Sequence, residues 1–354
     1  MDVAQFDFDL PEERIALRPA SPRDSARMLV VRADGSITHG LVCDLPGYLR
    51  SGDILVANDT KVIAARLRGH RRPREGLPGD GPKLELLLHR RLDEARYRVF
   101  ARPARKLEPG DALALGKTLR ARVLARGEAG EFEIGFETQG AALDAAIARE
   151  GETPLPPYIA GRRAADGRDV LDYQTVFAQH EGSVAVPTAG LHFTPALLAR
   201  LQAMGVARQT VTLHVGAGTF LPVSVSNTAE HKMHSEWAEI SQPSADAINA
   251  ARDTGGRIVA VGTTSLRTLE SASDGSGRLH GWSGETDIFI TPGYQFKTAE
   301  VLLTNFHLPR STLFMLVSAF SGTETMKRAY AEAIAERYRF YSYGDACLLF
   351  RPPA

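Results

Sequence analysis

The chain has 354 residues, 44% of them hydrophobic, and its 42 Lys and Arg residues balance 42 Asp and Glu residues. This length is sufficient for a sizeable core and about two domains. Two cysteines cannot form a disulfide framework or a zinc site by themselves, no apolar run approaches the roughly 20 residues that span a bilayer, and the acidic N-terminus lacks the features of a signal peptide. We therefore expect a cytoplasmic protein without a membrane segment.

The charge is unevenly distributed along the chain. Between Arg66 and Arg126 there are 17 Lys and Arg residues and 7 Asp and Glu residues, a local excess of +10 that the rest of the chain compensates. Such an excess is typical of a surface that contacts a polyanion, although a solvated arginine-rich surface would give the same count.

The first half of the sequence predicts strands. A hairpin is indicated over 27–40 and a buried strand within 52–59. From about 66 to 140, short strand-like segments alternate with turn sequences such as EPGD and RGEAG, which is typical of a small closed barrel or a sandwich. A helix over 141–150 and a proline-rich connector over 153–163 follow.

In the second half, strand-like and helix-like segments alternate. Predicted strands are SVAVP (183–187), TVTLHV (210–215), RIVAVG (257–262), DIFI (287–290), VLLT (301–304) and ACLLF (346–350). Predicted helices cover 194–205, 244–256, 264–272, 311–322 and 323–339. The pattern predicts an α/β fold: a larger mixed α/β domain of residues 1–65 and 152–354, barrel-like or with a bifurcated sheet, and an inserted small antiparallel β-barrel domain of residues 66–151.

Polar segments are predicted at the carboxyl ends of strands, where open α/β sheets bind ligands. They are AVPTAGLHFTP (185–195), TLHVGAGTF (212–220), AVGTTSLRT (260–268) and TNFHLPRST (304–312). In the third segment, Gly262, Thr263 and Thr264 precede a helix, so free N–H groups and the helix dipole would favour an anion. Each segment also has a simpler explanation: glycines in a tight turn, threonines as helix caps, or a histidine in a core.

Several common motifs are absent. The dinucleotide pattern G-x-G-x-x-G, the P-loop and the hydrolase pattern G-x-S-x-G do not occur. His231, His234 and Glu236 lack the H-E-x-x-H spacing of zinc proteases, and we expect no metal site.

The sequence contains, in order, VANDTKVIAARL, LPPYI, YQTVFAQHEGSVAVPTAGLHFT, TLHVGAGTF, VGTTSLRTLE and TNFHLPRSTLFMLVSAFSG. Together these segments resemble the S-adenosylmethionine:tRNA ribosyltransferase-isomerase family of queuosine biosynthesis. The resemblance extends from residue 10 to residue 350 and is weakest across 66–150. Its departures are small: a serine follows Gly182 where the family more often has alanine, and Lys61 replaces an arginine. Neither change removes a functional group.

The resemblance implies a transferase-isomerase that uses S-adenosylmethionine as co-substrate and no metal or redox cofactor. The implied partner is tRNA with a GUN anticodon that carries 7-aminomethyl-7-deazaguanine at the wobble position. The ribosyl unit is transferred and isomerised to give epoxyqueuosine-tRNA, adenine and methionine. The family's proposed path removes a proton from the ribose carbon beside the sulfonium, expels adenine, adds the aminomethyl nitrogen and closes the epoxide. We expect a monomer.

Such a path requires a base, an acid and fixed polar groups around the donor. The candidate catalytic residues are Asp59, His192, His214, Asp287 and His307. The candidate substrate-binding residues are Thr188, Gly216, Gly218, Thr263, Thr264, Arg267, Asn305, Arg310 and Ser311, with the two threonines placed to bind the methionine carboxylate. The candidate tRNA-binding residues are Arg66, Arg68, Arg71, Arg72 and Arg74.

Alternatives remain at this stage. RNA could bind instead at the basic residues near the C-terminus, namely Lys327, Arg328, Arg337 and Arg339. The helix-start anion sites do not require RNA, so a transferase that acts on a free nucleoside or sugar phosphate is the alternative function. A catalytically silent RNA-binding module is disfavoured, because the polar segments at strand ends contain imidazole and amide groups that simple RNA binding does not need.

Overall fold

A computed structural model describes residues 1–74, 81–128, 130–216 and 223–353. The strands are β1 (Arg27–Val31), β2 (Ile37–Leu41), β3 (Ile54–Asn58), β4 (Thr60–Val62), β5 (Arg66–Arg71), β6 (Lys83–Arg91), β7 (Arg96–Arg102), β8 (Ala112–Leu115), β9 (Leu119–Arg126), β10 (Glu131–Phe136), β11 (His180–Ser183), β12 (Ala207–Leu213), β13 (Glu236–Ile240), β14 (Ile258–Val261), β15 (Trp282–Thr286), β16 (Val301–Asn305) and β17 (Ala346–Phe350). The α-helices are α1 (Gly140–Glu150), α2 (Pro157–Ala160), α3 (Asp169–Asp172), α4 (Pro195–Ala203), α5 (Gln242–Asp253), α6 (Gly262–Ser271), α7 (Thr312–Ser321) and α8 (Thr323–Ala335).

Nine strands form one open mixed sheet in the order β15-β13-β12-β3-β14-β16-β17-β1-β2. The four adjacent strands β12, β3, β14 and β16 are parallel, so their carboxyl ends meet at one edge. The antiparallel strands β13 and β15 extend the sheet on one side, and the antiparallel strand β17 continues it on the other. Three of the four predicted polar segments begin at this shared edge, at the ends of β12, β14 and β16.

Both faces of the central strands are covered, which explains their continuous apolar sequences. Every residue of β3 and β16 is buried. On one face, Val56 and Leu302 pack in a core with side chains of α5 to α8. On the other face, Ala57 and Leu303 pack with α4 and Phe193.

The inserted segment forms a closed antiparallel barrel in the order β10-β7-β6-β5-β8-β9. Along β7 the side chains of Tyr97, Val99 and Ala101 point into the barrel core while their neighbours face outward, the alternation that a one-sided strand requires. Leu143 and Ile147 of α1 join the same core. The larger mixed α/β part and the inserted barrel confirm the predicted fold class, and the proposed domain limits stay a prediction.

Two predicted strands are wrong. In SVAVP, strand β11 ends at Ser183, and the next three apolar residues pack into three different cores: Val184 in the barrel, Ala185 beside β12 and Val186 beside α2. These residues are apolar because each is buried in a different core, so the run has the composition of a buried strand but does not adopt an extended, paired backbone. The segment DIFI has an irregular backbone. The strand in this region is β15, whose polar sequence WSGET comes directly before DIFI. Because β15 is an edge strand, it needs little apolar surface.

Candidate active site at the carboxyl edge of the sheet

The carboxyl ends of β3, β12 and β14 lead directly into Asp59, His214 and Gly262, and β16 ends with Asn305. Strand β12 ends at Leu213, one residue before the predicted histidine. Several of the predicted site residues fall into three groups along this edge, which are described in turn as the Arg267 group, the His214 group and the His192 group.

In the Arg267 group, α6 directs Arg267 toward the start of β13. Arg267 is only 5% exposed, and its Nη1 donates a 2.5 Å hydrogen bond to Oε2 of Glu236. The other carboxylate oxygen of Glu236 accepts the backbone N–H of Gly216 at 3.0 Å. The Nε and Nη2 atoms of Arg267 are buried and have no hydrogen-bond acceptor among the residues that the structure describes. These two N–H groups form one edge of the guanidinium, and their spacing matches the two oxygens of a carboxylate. Arg267 is therefore held in position by Glu236 through Nη1, while Nε and Nη2 have no acceptor among the described residues.

Thr263 and Thr264 lie inside the first turn of α6 and do not cap it. The capping position is Val261, whose side chain makes no capping hydrogen bond, so the explanation of the threonines as N-caps is wrong. The hydroxyl of Thr264 is buried and has no partner in the described part of the chain; it lies one turn before Arg267 on the same face of the helix. Gly262 has φ +88°, and a Cβ there would lie 3.4 Å from Ala189, so the glycine brings the helix start against the segment that contains Thr188.

In the His214 group, the imidazole ring is fixed on several sides. Its Nδ1 is 2.8 Å from Oγ1 of Thr60, and the ring stacks on Trp237 with centroids 5.3 Å apart and an interplanar angle of 19°. Gly182 (φ +147°) lies against the ring, since a Cβ there would be 2.8 Å from Cε1. Burial lowers the pKa of His214, as does the nearby His180, while Asp59 opposes the shift.

Asp59 is a buried carboxylate in the same group. It is 3% exposed, accepts a 2.7 Å hydrogen bond from the hydroxyl of Thr212, and its Oδ2 lies 3.8 Å from Nε2 of His180. Sequence reasoning missed His180, which lies within the family-like segment AQHEGS but has no spacing that distinguishes it from a surface histidine. A carboxylate beside two imidazoles is suited to proton transfer.

The His192 group combines His192 with Asn305. His192 is 4% exposed, and burial lowers its pKa to about 4, although Asp345 and the nearby side chain of Asn305 oppose this shift. The amide nitrogen of Asn305 donates to the carbonyl of Tyr341 at 3.0 Å. Among the described residues, Nε2 of His192 and Oδ1 of Asn305 make no hydrogen bond of ordinary length and angle, although Asn305 is close enough to raise the pKa of His192. The hydroxyls of Tyr173 and Tyr343 are also buried without a partner in that part of the chain.

Four further predicted residues lie outside these groups. His307 is buried with Nε2 2.9 Å from Oγ1 of Thr304, and burial lowers its pKa to about 3. Ser311 caps α7 by accepting the N–H of Phe314, Arg310 is exposed, and Asp287 is exposed just beyond β15. These observations give no support for their predicted roles. Gly218 lies outside the described residues.

The predicted tRNA-binding arginines lie on β5 and directly after it. Four of the five form ion pairs with carboxylates of the barrel or the connector: Arg66 with Glu85, Arg68 with Glu152, and Arg71 and Arg74 with Asp111. Arg72 is exposed and has no ion pair in the described part of the chain. The run therefore contributes to barrel structure, and its role in RNA binding stays a prediction.

The described residues contain no group of three His, Cys, Asp or Glu side chains arranged to hold a metal ion. Two of the three residues weighed as ligands have other contacts: Glu236 pairs with Arg267, and His231 packs edge-on against Phe289. Within the same residues, no helix is both long and apolar enough to cross a bilayer.

A mixed sheet whose parallel strands deliver polar groups to one edge is the arrangement of an α/β enzyme. A family described as queuosine biosynthesis protein matches residues 3–349, and the chain belongs to this family.

Curated relatives match over nearly the whole chain. The S-adenosylmethionine:tRNA ribosyltransferase-isomerase of Nitrobacter winogradskyi is 61% identical over 353 residues (98% of this chain and 97% of the relative), and that of Rhodopseudomonas palustris is 60% identical over 99% of both chains. The crystal structure of S-adenosylmethionine tRNA ribosyltransferase from Thermotoga maritima is 35% identical and superimposes with a TM-score of 0.55, covering 98% of this chain and all of that one. These similarities confirm the expected family and the expected enzyme class, a transferase-isomerase.

Proposed function

We propose that the chain transfers and isomerises the ribosyl moiety of S-adenosylmethionine onto 7-aminomethyl-7-deazaguanine at the wobble position of tRNA with a GUN anticodon. The products are epoxyqueuosine-tRNA, adenine and methionine, no metal takes part, and the enzyme acts as a cytoplasmic monomer. What carries this proposal is identity of about 60% along the full length with relatives that bear this name.

The Arg267 group supports the donor half of the proposal. S-adenosylmethionine carries an α-carboxylate, and the unsatisfied Nε and Nη2 of Arg267 are the donors that a carboxylate accepts in a bidentate manner. The hydroxyl of Thr264 and the first N–H groups of α6 lie one turn away and add to this anion site. The proposed role of Arg267 is therefore to fix the methionine end of the donor.

Proton transfer is assigned to the His214 and His192 groups. Asp59 and His214 lie near His180 at the same edge, so one of them can take the ribose proton beside the sulfonium. His192 and Asn305 supply a nitrogen and an oxygen that have no partner among the described residues and are suited to hydrogen bonds with a purine. We assign these two to adenine, whose departure needs hydrogen bonds to its nitrogens.

The defining experiment follows adenine and methionine from the purified protein. With S-adenosylmethionine and tRNA that carries the aminomethyl base, both products should appear in equal amounts. With tRNA that carries guanine, methionine should not appear, because its release follows the attack of an aminomethyl nitrogen that guanine lacks. Equal rates with the free modified nucleoside would show that RNA is not required and would contradict the proposal.

Single alanine substitutions of His192, His214 and His307 should separate the histidines. A positioned acid or base contributes about 100- to 10,000-fold to a rate. We expect His214→Ala to lower adenine release about 100-fold, and His307→Ala to have the smallest effect because its Nε2 is engaged by Thr304. The measurement is single-turnover adenine release by each soluble variant. Rates within a few-fold of the wild-type rate in all three would remove histidine from the chemistry.

The arginine run gives a prediction about RNA affinity. Charge reversal at Arg68 and Arg72, two exposed positions, should weaken tRNA binding and reduce its dependence on salt, because each lost phosphate contact lowers the slope by about 0.7–0.9. Affinity for S-adenosylmethionine should not change. Filter binding of tRNA over a salt series measures the RNA affinity and its dependence on salt. Reversal at Lys327 on α8 is the control, and a larger loss there would place RNA at the C-terminal helix.

A further inference from the structure

Trp237 is the one exposed aromatic side chain among the Phe, Tyr and Trp residues that the structure describes. It is 38% exposed and lies on β13, where Glu236, Ala238 and Ile240 are buried and Trp237 and Glu239 point outward. Large aromatic side chains are buried in most positions of this chain, whereas Trp237 offers a flat ring with a polar N–H edge to the surface.

The indole of Trp237 is held in place by contacts with His214. It stacks on the ring of His214 at 5.3 Å and 19°, and the backbone N–H of His214 donates to the carbonyl of Trp237 at 3.0 Å. His214 is itself fixed by Thr60 and by the close approach of Gly182. Trp237 is therefore a flat, supported aromatic surface beside the proposed proton-transfer groups.

This surface lies where the barrel meets the sheet. The residue directly across from Trp237 on β15 is Glu285, and Arg90 of the barrel donates to Glu285 at 2.7 Å. The barrel segment between Arg66 and Arg126 carries the local charge excess of +10, which attracts a polyanion.

We propose that Trp237 is a stacking platform for an unpaired base of the RNA substrate. This inference rests on the proposed function, because the RNA is its tRNA. The anticodon loop offers unpaired bases, and a base stacked on the face of Trp237 opposite His214 would be held close to the proposed proton-transfer groups while the basic barrel contacts the phosphates. Stacking accepts any base, so Trp237 contributes affinity and position and does not read the sequence.

Tryptophan fluorescence tests the contact directly. The chain has two tryptophans, and the other, Trp282, is half-buried against the core, so Trp282→Phe leaves Trp237 as the sole emitter. This variant is titrated with an anticodon stem-loop that carries unmodified guanine at the wobble position and cannot react. Binding is followed in parallel by anisotropy of end-labelled RNA. Emission should be quenched along the same curve as the anisotropy.

Substitutions test the contribution to affinity. Trp237→Ala should weaken stem-loop binding about 5- to 150-fold, and Trp237→Phe should retain most of the affinity because a ring still stacks. Leu171→Ala, at an apolar residue that is 75% exposed on α3, is the control and should bind RNA as wild type. Affinity of the alanine variant for S-adenosylmethionine, measured by calorimetry, should stay within about two-fold of wild type, since stacking on RNA does not involve the donor.

The outcomes separate this inference from the function on which it rests. If RNA binds but the emission of Trp237 does not change, or if Trp237→Ala binds RNA as tightly as wild type, the stacking platform is wrong and the proposed function stands. If Trp237→Phe binds the stem-loop no better than Trp237→Ala, and the affinity for S-adenosylmethionine falls as much as the affinity for RNA, then Trp237 has a structural role and the stacking platform is wrong. If the wild-type protein binds no tRNA, the proposed function itself is contradicted.

Discussion

Replacing Arg267 by lysine should weaken S-adenosylmethionine binding about 100-fold, the equivalent of ~3 kcal/mol. Lysine keeps the positive charge beside Glu236 but cannot present two parallel N–H groups to a carboxylate. Hydrogen bonds to charged groups contribute about 1.5–3 kcal/mol each, so the loss of a bidentate contact, partly offset by the retained charge, gives this magnitude. Titration calorimetry with S-adenosylmethionine measures the change.

A donor analogue shows whether Arg267 acts on the carboxylate. Decarboxylated S-adenosylmethionine retains the sulfonium, the amino group and the adenosine but lacks the group assigned to Arg267. The wild-type protein should bind it about 100-fold more weakly than S-adenosylmethionine, whereas the Arg267→Lys variant should discriminate much less between the two ligands. The ratio of the two affinities is therefore the readout.

A purely structural role for Arg267 would give a different pattern. Breaking a buried ion pair by removing one partner destabilises a protein by about 3–5 kcal/mol. Such a loss of stability would weaken the binding of both ligands to the same extent. Because lysine retains a charge for Glu236, the variant is expected to fold, and its unfolding transition in urea checks this. If the affinities for the two donors fall in parallel, Arg267 does not contact the carboxylate.

The central fold could be predicted because its signals are local. RIVAVG and VLLT have the continuous apolar sequences of strands buried on both faces, and they are β14 and β16. The barrel followed from short strands separated by turn residues. Edge strand β15 was missed because only one of its faces packs, and its sequence WSGET has no apolar run.

The site could be predicted in location but not in detail. Strand ends and a helix start indicate where ligands bind, and they led to Thr264, Arg267 and His214. The Glu236 partner of Arg267 is 31 residues away in sequence and was weighed as a metal ligand, because nothing local shows which group it faces. Likewise, Arg74 looked available for phosphates until the fold placed it against Asp111. Long-range pairing of charges is fixed by tertiary structure alone.

Lowering the pH from 7 to 5 should destabilise the protein by about 2 kcal/mol for each of His192 and His307. Burial lowers their pKa values in the folded protein to about 4 and about 3. In the unfolded chain a histidine has a pKa of about 6.5. Below that pH the unfolded chain binds protons that the folded protein does not, so the free energy of unfolding falls with pH until the folded pKa is reached.

Urea unfolding at pH 7 and pH 5 measures this loss. His307→Gln removes one titrating group, so its stability should fall by about 2 kcal/mol less than that of the wild type between the two pH values. The ion pair of Asp53 with Arg257 does not interfere. Burial raises the pKa of Asp53, but hydrogen bonds from Arg257 and Arg50 outweigh it, so the pKa is lowered. The contribution of Asp53 to the free energy of unfolding is therefore lost only below about pH 4.

The control is Thr304→Val, which removes the hydroxyl beside Nε2 of His307 but keeps the imidazole. This variant should be less stable than the wild type at both pH values and should still lose stability on acidification, because the buried ring still resists protonation. The comparison therefore separates the titration of His307 from the hydrogen bond that it makes. If His307→Gln loses as much stability between pH 7 and pH 5 as the wild type does, the ring is protonated in the folded protein at pH 5, and it would then be available as an acid in the reaction.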